Sequence, residues 1–151
     1  MTRRRSRGIA AIELACVLVL LVPLLVASLY LGRLALAGAA LELAATNAAR
    51  FMATVPNESL HDPARLAAAQ AAARAVFDDT LTAAGVEPHG LYVWFSCDPG
   101  DCRLLPSGVT PTKVGVYSTF GFPNMDVFYN QPFSGQEYTW LTGYAEVGRE
   151  R

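Results

Sequence analysis

Leu14-Ala15-Cys16-Val17-Leu18-Val19-Leu20-Leu21-Val22-Pro23-Leu24-Leu25-Val26-Ala27-Ser28-Leu29-Tyr30-Leu31 is an unbroken run of eighteen uncharged, mostly aliphatic residues. As an α-helix it is roughly 27 Å long, close to the thickness of bilayer hydrocarbon, so residues 9–31 are expected to form a transmembrane helix. Arg3, Arg4, Arg5 and Arg7 precede the run, and only Arg33 and Arg50 follow nearby. The excess of positive charge belongs on the cytoplasmic side. Residues 1–8 are therefore expected in the cytoplasm, with 32–151 across the membrane.

Composition agrees with one anchor and one small domain. Hydrophobic residues make up 52% of the 151, but the excess sits in the first third of the chain, leaving too little for two independent cores. The net charge is −1 and the only basic cluster flanks the apolar run, which argues against a nucleic-acid partner. A cleaved secretory signal is the rival reading, since Ala35-Leu36-Ala37 before Gly38 resembles a small-residue cleavage site. The apolar run exceeds a signal h-region, however, and good helix formers continue through Arg50, so retention is expected.

Glu13 sits at the edge of the apolar run, where a carboxylate is costly unless paired. Cutting the chain between Gly8 and Ile9 would create an α-amino group one helical turn from Glu13, in i,i+4 register, or within reach from a neighbouring copy. A carboxylate near a helix N-terminus is also favoured by the helix dipole.

Arg7-Gly8-Ile9-Ala10-Ala11-Ile12-Glu13-Leu14 resembles the class III signal of type IV pilin-like proteins, in which a prepilin peptidase cuts after a glycine and glutamate is the fifth mature residue. More narrowly, the Ala-Ala-x-Glu core, Gly32-Arg33, Asn47-Ala48-Ala49-Arg50 and the C-terminal strands are similar to the TadE-like minor pseudopilins of the tight-adherence (Flp) pilus. Leu14 stands where that family usually has phenylalanine or tyrosine. The resemblance implies a pilin-like fold, processing between Gly8 and Ile9, and pairing of Glu13 with the new amine. It also implies a bacterial inner membrane with the C-terminal domain periplasmic and, as partners, the prepilin peptidase, other pilins or pseudopilins and the Tad assembly-platform proteins, with roles in pilus assembly and adhesion. The alternative is a single-pass membrane-anchored periplasmic binding module unrelated to pili, with the aromatic stretch Phe122 to Phe133 as its contact surface.

Beyond the anchor the chain is expected to be α+β: the first helix continuing to about Thr54, a second helix, and an antiparallel sheet of three to four strands. Ala40, Ala44 and Ala48 share one face, suited either to neighbouring pilin helices or to the protein's own sheet. Asp62-Pro63 supplies an N-cap and first-turn proline for the second helix, and Gly85 ends it. Leu66, Ala69, Ala73, Val76, Phe77 and Leu81 form its apolar stripe, and Arg74 can pair with Asp78.

After Gly90 the period becomes two, with Leu91, Val93 and Phe95 alternating with Tyr92, Trp94 and Ser96. Cys97 and Cys102 bracket a Pro-Gly turn, which predicts a short disulfide and a return strand near Arg103 to Leu105. A zinc half-site would need a second ligand pair that the sequence lacks. Further strands are expected near Lys113 to Phe120 and Tyr138 to Val147, around a loop from Phe122-Pro123 through Gly135 containing Met125, Val127, Phe128, Tyr129 and Phe133. Tyr92, Trp94, Tyr138, Trp140 and Tyr144 share parity within their strands, which suits a helix contact and a binding face equally.

Catalytic chemistry is not expected. His61 and His89 lie at element boundaries without a nucleophile or metal-ligand pattern, Asp98 and Asp101 are too few oxygens for a calcium loop, and no phosphate-binding glycine loop is present. No enzyme activity, cofactor, metal or small-molecule substrate is therefore assigned.

Overall fold

A computed structural model describes residues 5–87, 89–98, 100–106, 108–123 and 138–149. The chain is α+β. Helix α1 spans Arg5–Ala53, α2 Asn57–His61 and α3 Pro63–Ala83; strands are β1 His89–Cys97, β2 Gly100–Asp101, β3 Lys113–Pro123 and β4 Tyr138–Gly148. Met1–Ala35 and Leu36–Arg151 are separate compact units.

In the first unit the side chains of Leu14 through Leu25 are all exposed. Pro23 is accommodated within the helix; its missing amide is tolerated in membrane-spanning helices. Among the described residues, Ile12–Ala53 is long and apolar enough to cross a membrane, which makes it compatible with a single-pass anchor.

In the second unit, α1 buries Ala37, Ala40, Leu41, Ala44, Ala45, Ala48, Ala49 and Met52. This spacing is the apolar stripe of a core-facing helix, built mainly from alanine so that its backbone can come close to what it covers. Ala40, Ala44 and Ala48 thus serve this domain's own core, which settles the choice left open by sequence. The helix comes close to the sheet at Gly143 of β4, where a Cβ would lie 2.8 Å from Leu41 Cγ.

The α3 stripe contributes Leu66, Ala73, Phe77 and Leu81 to the same core. Asp62 Oδ1 accepts from the amides of Ala64 and Arg65 at 2.9 and 3.3 Å, satisfying two otherwise unpaired N–H groups. At the other end Gly85 adopts φ 70°, its amide reaching Thr82 O and that of Val86 reaching Leu81 O, a glycine-closed C-terminus. Arg74 pairs with Asp78 at 3.1 Å, as expected. Helix α2 is a single turn after Pro56 held by buried Leu60; its five residues are too few to show periodicity in sequence.

The sheet is antiparallel with order β2-β1-β3-β4. Its inner face carries Phe95, Cys97, Val114, Val116 and Phe120, buried with the helix stripes. Ser118 is fully buried among them and donates to Gly143 O at 3.2 Å, so it carries no unsatisfied group.

Two strand expectations need correction. The return strand is Gly100–Asp101, not Arg103 to Leu105: Asp101 Oδ1 accepts from Arg103 N at 2.9 Å, and residues Cys102–Leu104 coil into a 3-10 turn. Strand β3 also runs through Phe122 and Pro123, three residues beyond expectation, with half-buried Phe122 packed on the core. Met125, Val127, Phe128, Tyr129 and Phe133 lie outside the described residues.

Candidate functional site

Gly8, Ile9 and Glu13 all lie in the first turns of α1, with Ile9 and Glu13 in i,i+4 register. Glu13 is exposed, as are the apolar side chains that follow it. Cys16, further along the same segment, is a free, exposed thiol.

Cys97, ending β1, and Cys102, opening the 3-10 turn, form a disulfide with sulfurs 2.07 Å apart. Both are buried. Asp98 accepts from Thr112 Oγ1 at 3.0 Å, so with Asp101 engaged at Arg103 both acids serve turn geometry. Among the described residues no group of three or more metal-ligating side chains gathers. His61 ends α2 and His89 begins β1, as the boundary reading implied.

The pleat sends Tyr92, Trp94, Tyr117, Trp140 and Tyr144 to the face opposite the buried one, and all five are exposed. Among the described residues, Tyr92, Trp94, Trp140 and Tyr144 therefore face away from the helices that cover the inner face, while Tyr138 is half-buried. Registers place Trp94 opposite Tyr117 and Tyr117 opposite Tyr144, a row of rings crossing three strands. With neighbouring strands about 4.8 Å apart, the row extends for roughly 10 Å.

Glycines set the posture of these rings. Trp140 pairs with Gly121 on β3, yet its indole reaches 3.6 Å from where a Cβ of Gly90 on β1 would stand. Its long axis must therefore run along the sheet. Tyr144 similarly leans over Gly115, where any Cβ would meet Ser96 Oγ at 2.6 Å and the Tyr144 ring at 3.3 Å.

Gly115 is the floor of a cleft of about 430 Å³. Trp94 and Tyr144 wall it, and Asp98, Asp101, Lys113 and Glu146 supply the charged rim. Lys113 Nζ lies 2.9 Å from Glu146 Oε1, and Tyr144 Oη donates to Glu146 Oε2 at 2.9 Å. These two hydrogen bonds, the lysine's first, hold the Glu146 carboxyl below its usual range. The Glu146 hydrogen bond in turn raises Lys113 and is the leading cause that raises Tyr144.

No family model, curated protein or solved structure matches this chain.

Sequence parity groups Tyr92 with Trp94, and Tyr138, Trp140 and Tyr144 with one another. It does not reach Tyr117, Lys113 and Gly115 of β3. The alternation Lys113, Gly115, Tyr117, Thr119 carried that signal, but pairing of β3 between β1 and β4 was needed to unite the rings.

Proposed function

We propose that this protein is a non-enzymatic minor pseudopilin that assists assembly of a Tad/Flp pilus, anchored in the inner membrane with its α+β domain on the periplasmic side. The observation that carries the reading is the register of Gly8, Ile9 and Glu13 between an arginine cluster and an eighteen-residue apolar run. One long N-terminal helix with an exposed apolar half, together with an antiparallel sheet, is consistent with a pilin-like arrangement. Cleavage between Gly8 and Ile9 would give Glu13 a cationic mate one turn away, offsetting the cost of a carboxylate at the membrane border. The disulfide suits an oxidising compartment.

Mass spectrometry of membrane fractions tests the reading. A chain beginning at Ile9 is expected in cells that have the prepilin peptidase, and the full arginine-rich leader in cells that lack it. An intact leader in both would defeat the proposal, and so would a start at Gly38. Glu13→Ala should impair pilus assembly while leaving membrane insertion intact; equal loss of both would count against a pairing role.

A further inference from the structure

We draw no further inference here: the strongest candidate, the edge of β1 that β2 pairs only at Ser96 and Cys97 among the described residues and that borders a groove lined by Gln70 of α3 and by Arg103, carries none because nothing in the structure shows what would pair with it.

Discussion

Replacing Gly143 with alanine tests whether the contact of α1 with the sheet is as close as described. The new methyl would stand 2.8 Å from Leu41 Cγ, 3.1 Å from Ser118 Oγ and 3.2 Å from Leu41 Cδ2. Carbon atoms rest at about 3.5–4.0 Å, so the Leu41 branch point must retreat by roughly an ångström. Leu41 is 1% exposed and cannot rotate into solvent, so the helix itself has to give. Overpacking of this kind costs about 1–3 kcal/mol. Disturbing the Ser118 hydrogen bond to Gly143 O adds about 0.5–1.5 kcal/mol, and the stiffer unfolded chain returns about 0.4–1 kcal/mol. The net expectation is a loss of about 1–3 kcal/mol, read as the shift in urea midpoint by tryptophan fluorescence of the detergent-held chain. Gly148→Ala is the control: the same strand, with nothing within 4 Å of its Cβ, should change stability by less than about 1 kcal/mol. Leu41→Ala should cost less in the Gly143→Ala background than alone, since the two changes share one contact. Equal stability of the two alanine variants, or strict additivity with Leu41→Ala, would refute the close seam.

Three further expectations concern the rest of the domain. Arg149 donates through Nη2 to Val55 O just beyond α1, where a cation also complements the helix dipole, and burial lowers its pKa. Arg149→Ala should therefore lower stability by about 1–3 kcal/mol in urea unfolding, and an unchanged midpoint would remove that clasp. Replacing Cys97 and Cys102 together by alanine should cost about 2 kcal/mol, the chain entropy of a loop of separation 5; a negligible change in midpoint would contradict it. For Glu146, held below its ordinary 4.5, the stabilising contribution is present above that value and fades as pH falls through the depressed pKa. Lys113, raised above 10.5, contributes fully below that value and loses its share as pH rises through the raised pKa. Both are exposed, so the effect is small, but Glu146→Gln should flatten the acid limb of the stability profile; an identical slope would exclude the pair.

Local chemistry was the legible part of this sequence. The apolar run, the Asp62 cap, the Gly85 stop and the alternation of β1 each depend on neighbours a few residues away, and each appears where expected. The disulfide was readable because five residues and a turn bring its cysteines together. Gly100–Asp101 was not, because whether a two-residue return pairs or coils depends on Asp101 capping Arg103, a competition that strand propensity ignores. The alanine stripe was visible, yet its occupant depended on Gly143, about a hundred residues away, leaving room for a helix. The aromatic face was half visible for the same reason: parity assigns rings to a side of one strand, whereas their alignment needs register across three.

The bond from Arg149 to Val55 spans 94 positions, and the seam between Leu41 and Gly143 is of similar reach. A nascent chain emerging from its N-terminus therefore presents the alanine stripe long before β4 arrives to cover it. Until then the segment is open to proteases and to sticking partners, as late-forming distant contacts leave any chain. Maturation of this domain is consequently a matter of timing, set by when β4 emerges to cover residues 37–52.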